Sequence, residues 1–302
     1  MLLEQVKKYK EQKKGKGWIA NKLGITKEEI DILLKDKKVV FKSGAKILLL
    51  DIETSPLLAY VYQKQVWKAR IGHKQVASNW FMLTWAAKWL GEKEVFSESL
   101  SSEEAIEEND ERIVTSLWIL LDEADIIIAH NGNQFDIPNI NTRCVLHKLP
   151  PPSPYKQIDT LKIAQQQFGF THNSLDALAG FFGVQGKTDT DFQLWKDCIH
   201  GDEEALLKME IYNKNDVVVL EKVYQFLKPY AKGHPNLDLY IDSKSPTCPS
   251  CGKDKLISME GKYFYTQAVR YPIHRCGGCH AISRAKQGEP YINKKLISAI
   301  PR

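Results

Sequence analysis

In KILLLDIETSP, residues 46–56, four aliphatic residues run straight into an acid, an isoleucine and a second acid. The apolar run reads as a buried strand. Side chains alternate faces along a strand, so Asp51 and Glu53 share one face and Ile52 takes the other. Farther on, Phe81, Leu83, Trp85, Ala87 and Trp89 share a face of FMLTWAAKWL, GEK follows as a turn, and EVFSESL completes an antiparallel hairpin. A helical stretch at about 103–122 leads into the apolar strand DIIIAH at 125–130. In a long helix at about 203–229, Met209, Tyr212, Asp216, Val219, Val223 and Phe226 recur at spacings of 3 and 4, the period of one helical face.

Both ends depart from this pattern. Residues 1–44 open with a lysine cluster and continue as GWIANKLGITKEEIDILLKDKK, two short helices around Gly24, with Thr26 and Glu29 as a capping box. The second helix of this helix-turn-helix exposes Glu28, Glu29 and Asp31, which phosphates repel, so a structural or protein-contacting role stands beside nucleic-acid binding. After Pro229, Gly, Pro, Lys and Tyr replace the helical pattern. Three segments follow: 1–44, an α/β domain at 45–230 with a mixed sheet flanked by helices, and 231–302. Their charges differ. The first holds 12 basic and 6 acidic residues, the second 18 and 26, and the third 12 and 5, giving +6, −8 and +7. Basic ends around an acidic middle suit a chain whose ends grip a polyanion while the middle holds cations. No signal peptide and no run of roughly 18 apolar residues is present, which predicts a soluble, cytoplasmic protein without a membrane partner.

Two carboxylates side by side at the end of a buried strand repel each other unless a cation sits between them. An isolated DxE also occurs where a strand simply reaches the surface, so the other acids decide. Asp136 follows the strand DIIIAH in NGNQFDIP, where it either caps the next helix or joins the pair. Asp216 lies in the middle of an apolar stripe with no lysine on that face, and Tyr212 is one turn earlier. Asp159 reads as a helix cap, His130 as structural, and Trp80, Trp85 and Trp89 as core.

A DxE pair on a strand, N-xxx-FD after a parallel strand (Asn131 to Asp136) and Y-xxx-D on a later helix (Tyr212 to Asp216) resemble the motifs of the DEDD exonuclease superfamily. The tyrosine in the last motif marks the tyrosine-containing (DEDDy) branch, because the histidine branch would place His where Ile211 stands. LTWAAKWLGEKEV, LPPPSPYKQIDTLKIA and the C-terminal CxxC pairs extend the resemblance over roughly 45–285, toward YprB-like, DnaQ-like nucleases of the ribonuclease H fold, many of them phage-encoded. The resemblance implies a two-metal 3′→5′ exonuclease using two Mg²⁺ or Mn²⁺. Asp51 would bridge both ions, Glu53 and Asp216 would hold the one that activates water, Asp136 would support the other, and Tyr212 would orient the water. A phage origin would make the location the host cytoplasm.

Cys248, Cys251, Cys276 and Cys279 form CPSC and CGGC with 24 residues between them. Without a secretion signal, that spacing predicts one structural Zn²⁺ in a zinc ribbon. Cys144 and Cys198 read as core. Around the cysteines, Lys253, Lys255, Lys262, Arg270, Arg275, Arg284 and Lys286 interleave with Tyr263, Phe264, Tyr265 and Tyr271, a pattern suited to single-stranded nucleic acid. Asn131, beside the second motif, is a further candidate contact. The expected substrate is DNA with single-stranded or frayed 3′ ends, and a replication or repair protein is a candidate partner. The rivals are an RNA 3′-end-trimming enzyme of the same mechanism and a catalytically silent nucleic-acid-binding protein.

Overall fold

The computed structural model describes residue 22 and residues 44–62, 70–184, 190–243, 245–266 and 269–289. The helix-turn-helix expected over 1–44 lies outside the described residues apart from Lys22 and Gly44. The chain divides into two compact units, Met1–Ser43 and Gly44–Arg302. The second begins with β1 (Ile47–Thr54), a short pair β2 (Leu58–Ala59) and β3 (Val76–Ser78), then β4 (Met82–Trp89) and β5 (Phe96–Ser99). It continues through α1 (Ser102–Ile106), α2 (Glu111–Glu123), β6 (Ile126–Ala129), α3 (Asp136–Leu146), β7 (Lys156–Asp159) and α4 (Thr160–Gln167). Helices α5 (Leu175–Phe181), α6 (Phe192–Ile199) and the 25-residue α7 (Glu203–Leu227) complete the α/β part.

Five strands form one mixed sheet in the order β5-β4-β1-β6-β7. β1 is antiparallel to β4 and parallel to β6, so it sits at the centre with both faces covered. Alternation then sorts its side chains. Leu48, Leu50 and Ile52 join one core with residues of α2, α3 and α6, while Ile47 and Leu49 join the other with α4 and α5. Each such fully buried aliphatic side chain contributes about 1.5–3 kcal/mol of transfer free energy, so β1 is held firmly in register. α7 serves both cores: Ala205, Leu206 and Met209 pack in the first, and Val217, Leu220, Val223 and Tyr224 in the second. Tyr212, Asn213 and Asp216 lie at the changeover.

Two expected elements differ. The helical stretch at 103–122 is two helices, broken where Glu108 takes φ 56°. The break serves Asp110, which is fully buried. Its carboxylate accepts a 2.8 Å hydrogen bond from Met82 N and pairs with Arg143 and His147. A continuous helix would carry Asp110 away from these partners. In α7, Phe226 is 48% exposed and stacks on Phe182, whereas Tyr224 and Leu227 are buried. A helix pressed between two cores buries a wider face than one stripe.

The C-terminal part is a three-stranded antiparallel sheet of β8 (Leu256–Tyr265), β9 (Arg270–Cys276) and β10 (Ile282–Arg284). It is tied to the α/β part by the turn Leu237–Tyr240. There Leu237 is buried in the second core, and its N–H donates to Pro249 O at 2.8 Å. No helix among the described residues is long and apolar enough to cross a membrane.

Candidate active site and cysteine cluster

The antiparallel pairing of β1 with β4 sets Asp51 opposite Ala86 and Glu53 opposite Thr84. Small neighbours leave room above the two carboxylates, and α7 lies over them. Carboxylate oxygens of Asp51, Glu53 and Asp216 lie within 4.8 Å of one another. Asp136 is the first residue of α3 and buried. Instead of capping its own helix, its Oδ1 accepts a 3.2 Å hydrogen bond from Ile52 N, between the two β1 acids. Its Oδ2 is buried without a hydrogen-bond partner among the described residues.

Burial raises the Asp51 carboxyl well above the usual range, and the charges of Asp136, Glu53 and Asp216 add to this. Burial followed by repulsion from Asp216 and Asp136 lifts Glu53 to about 8. Burial also raises Asp136 to about 7 and Asp216 to about 6. Neighbouring donors oppose these shifts: Asn213 Nδ2 donates to Asp51 Oδ2 at 2.6 Å, and the side chains of Trp195 beside Glu53 and Tyr212 beside Asp216 hold those two carboxyls lower than burial alone would. Tyr212 is itself pushed upward by burial and by Asp216 and Glu53, so its hydroxyl keeps its proton at neutral pH.

This donor set fits hard divalent cations. It offers several carboxylate oxygens, a buried oxygen without a donor and mutual repulsion that positive charge would relieve. Asp51, Glu53, Asp136 and Asp216 are the residues that could hold such ions.

Two groups here were not singled out from sequence. Asn213 is fully buried beside Asp51. It neighbours Tyr212 and falls one turn before Asp216, so helical spacing contained the signal. Trp195 packs edge-on against Tyr212, with ring centroids 6.3 Å apart, but nothing local in DFQLWKDC points to it. A cleft of about 370 Å³ opens beside it, lined by Thr54, Ser55, Pro56, Asp191 and Phe192.

The loop after β6 turns back sharply. Asn131 adopts φ 67°, and a Cβ on Gly132 would meet that of Ala129 at 2.4 Å. Asp159 caps α4 through Leu161 N and Lys162 N and also accepts from Asn131 N and Asn133 N. It therefore fixes the loop that delivers Asp136. His130 is structural, with ring nitrogens engaged by Thr160 Oγ1 and Asn173 O, both at 2.9 Å. Cys144 and Cys198 are buried core thiols, and Trp85 is core.

In the tail, the Sγ atoms of Cys248, Cys251, Cys276 and Cys279 lie within 4.8 Å of one another. Two turns of the same form bring them there. Gly252 N donates to Cys248 O and His280 N to Cys276 O, and Gly252 and His280 both take positive φ. Cys248–Cys279 and Cys251–Cys276 are 3.7 and 3.6 Å apart. Sulfurs around a tetrahedral zinc at about 2.3 Å sit about 3.8 Å apart, whereas a disulfide needs about 2.05 Å. Backbone N–H groups of Cys279 and Gly278 and the neighbouring thiols lower Cys276 to about 7 against its burial. The cluster is compatible with a zinc ribbon.

Lys253, Lys255, Lys262, Arg275, Arg284 and Lys286 are exposed. The Arg284 guanidinium lies 4.2 Å over Tyr271, and that of Arg270 lies 4.3 Å over Tyr263. Arg270 also pairs with Glu289 at 2.7 Å, so its charge is partly met within the sheet.

No curated protein matches the chain in sequence. A solved structure of the family B DNA polymerase from the hyperthermophilic archaeon Pyrobaculum calidifontis is similar at 15% identity and a TM-score of 0.43. The match covers 62% of this chain and only 25% of that polymerase. The family model RNase_H_2, of the RNase_H superfamily, matches residues 48–228, from β1 to the end of α7 and so more than half of the chain. With its five-stranded mixed sheet and the acids at its centre, the chain belongs to the RNase H superfamily.

Proposed function

We propose that this chain is a metal-dependent 3′→5′ exonuclease of the tyrosine-containing DEDD branch, acting on single-stranded or frayed 3′ ends of DNA. The superfamily and the acid cluster together support a metal-dependent nuclease. The observation that carries the finer reading is the junction on α7, where Asn213 donates to Asp51 at 2.6 Å and Tyr212 sits one turn before Asp216, beside the acid cluster.

Divalent ions of the Mg²⁺ or Mn²⁺ type, when bound, would generate a nucleophile from water and neutralise charge on the phosphate. Asp51, Glu53, Asp136 and Asp216 would hold them. Asn213 fixes one oxygen of Asp51, leaving the other for a ligand, and the Trp195 indole lies beside Glu53. Tyr212 acts as a donor. Burial keeps its hydroxyl protonated, so it orients the attacking water by hydrogen bonding and does not serve as a base. The YprB-like kinship and a phage origin accompany this reading. One zinc at the four cysteines would hold the tail, whose exposed lysines and arginines meet the polyanion.

The test is incubation of the full chain with Mn²⁺ or Mg²⁺ and 5′-labelled single strands of DNA and RNA of equal sequence. A ladder shortening from the 3′ end of DNA is expected. A ladder on RNA alone would reassign the substrate, and intact strands at every metal concentration would overturn the activity.

A further inference from the structure

The acids are served by an approach that neither the motifs nor the tail accounts for. From Thr54 to Gly91 the sequence contains no Asp or Glu, although the surrounding segment 45–230 carries −8. The first part of this acid-free stretch forms the β2–β3 hairpin, which starts four residues after Thr54. Leu58 is five positions after Glu53, which keeps the hairpin's foot within about 17 Å of that acid.

That foot is pinned. Ser55 N donates to Phe81 O at 2.8 Å, and Phe81 N donates to Ser55 Oγ at 2.9 Å. Higher up, Tyr60 N donates to Gln75 O, and Gln75 Nε2 returns a bond to Tyr60 O. At these positions the backbone is held while the side chains are not covered: Leu58 is 62%, Tyr60 77% and Tyr62 fully exposed. Arg70, and His73 and Lys74 in the short 3-10 turn that leads into β3, are exposed, and Arg70 and Lys74 form no ion pair among the described residues.

Exposed apolar surface on this scale needs an occupant. A protein-binding surface is depleted in lysine at its centre, whereas exposed tyrosines interleaved with cations and free of acids match a strand of bases and phosphates.

We propose that the β2–β3 hairpin is the guide for the single-stranded nucleic acid, with Tyr60 and Tyr62 stacking on bases and Arg70 and Lys74 holding phosphates. This rests on the exonuclease reading and extends it to how the strand reaches the acids. The hairpin acts through binding alone, and the acids keep the chemistry.

The test uses the full chain with Ca²⁺ as the added divalent ion and a 5′-fluorescein single-stranded oligonucleotide, read by anisotropy. Y60A/Y62A should bind about tenfold or more weakly, and Tyr62→Phe, which keeps the ring, should bind like the parent. Arg70→Ala/Lys74→Ala should flatten the salt dependence by roughly 1.4 in log–log slope, about 0.7 per phosphate contact on a single strand. With Mn²⁺, Y60A/Y62A should raise KM on the oligonucleotide and leave hydrolysis of thymidine 5′-phosphate p-nitrophenyl ester unchanged, because that ester is too small to span acids and hairpin. Unchanged affinity and salt slope in both variants would overturn the proposal. So would a change of oligomeric state on size exclusion with oligonucleotide binding intact, which would make the hairpin a protein-docking surface. Failure of the exonuclease reading has a different signature: the parent binds the strand, Y60A/Y62A loses that binding, and neither substrate is cleaved.

Discussion

The chain gathers ligand atoms twice, once from distant elements and once from two local turns. The four acids come from three distant elements, β1, α3 and α7, and repel one another. Glu53, Asp136 and Asp216 are raised to about 8, 7 and 6, and Asp51 is raised well above its ordinary range. The four cysteines come from two turns of the same form, with sulfurs at tetrahedral spacing; burial raises Cys248, Cys251 and Cys279, while Cys276 is lowered to about 7. In the first case the whole core supports a cluster that opposes its own assembly. In the second the cluster supports the fold around it. Strain carried by a rigid scaffold suits chemistry, and a closed thiolate set suits structure.

The largest effect expected from breaking this contrast is on activity. Asp51→Ala and Asp216→Ala should each lower turnover by about a hundred- to a thousandfold, the scale of losing one preorganised electrostatic contact to a transition state. The metal-free fold should persist, with an unchanged circular dichroism spectrum and a melting temperature equal to or above the parent's, because a repelling charge has gone. Unfolding of these variants would place the acids among the structural groups instead.

Next comes the cysteine cluster. Metal analysis should return one zinc per chain, and Cys276→Ser/Cys279→Ser should return none. Zinc contributes about 10–16 kcal/mol of apparent binding free energy to isolated fingers, so its loss should melt β8–β10 outright. The effect should spread. The Tyr224 hydroxyl is raised by burial and by the neighbouring Cys279 and Cys251, and it bonds His234 at 2.7 Å. Tyr224 belongs to α7, so the melting temperature of the α/β part should fall too. A melt that separates cleanly, with the α/β transition unmoved, would show that the tail merely rests on it.

Smaller effects belong to the groups that orient the acids. Asn213→Ala leaves an oxygen of Asp51 without its donor and should weaken Mn²⁺ binding by about 10- to 100-fold, read by titration calorimetry. Tyr212→Phe should slow turnover while Mn²⁺ affinity stays close to the parent's. Equal loss of metal affinity in both variants would remove the distinction between fixing a ligand and orienting water.

How much of this could be read beforehand follows from where each signal lives. The shared face of Asp51 and Glu53 is a consequence of period two, the Tyr212–Asp216 turn of period 3.6, and the cysteine cluster of CxxC spacing. All are local. Trp195 reaches Glu53 from a different element, and Asp110 breaks a helix to meet Arg143 and His147, both dictated by partners far along the chain. The β2–β3 hairpin has weak strand periodicity and only two and three paired residues, so its clearest trace in the sequence is the missing acids. Tertiary partners decide what local pattern cannot.

The subtlest expectation concerns pH. For Glu53, Asp136 and Asp216 the folded-state values lie above the ordinary carboxylate values of about 3.9–4.3. A carboxyl raised in this way favours the folded state while protonated. Its contribution is complete below the unfolded value and is lost as pH rises through the folded one. Without added Mg²⁺ or Mn²⁺, the melting temperature should therefore decline between about pH 5 and 8.5 as Asp216, Asp136 and Glu53 ionise in turn. Added Mn²⁺ should raise it most at the alkaline end, where the ionised cluster has cations to share. Cys276, lowered to about 7, titrates in the same range, so the measurement is a difference between the parent and Glu53→Gln. The amide introduced in that variant cannot ionise and keeps the size and shape of the side chain beside Trp195. The parent should lose stability relative to this variant from about pH 5 upward, with the loss levelling off above about 8, and Mn²⁺ should close the gap. A difference curve that is flat from pH 5 to 8.5, with and without Mn²⁺, would mean that Glu53 is not held against its own charge, and the contrast between the two clusters would lose its clearest member.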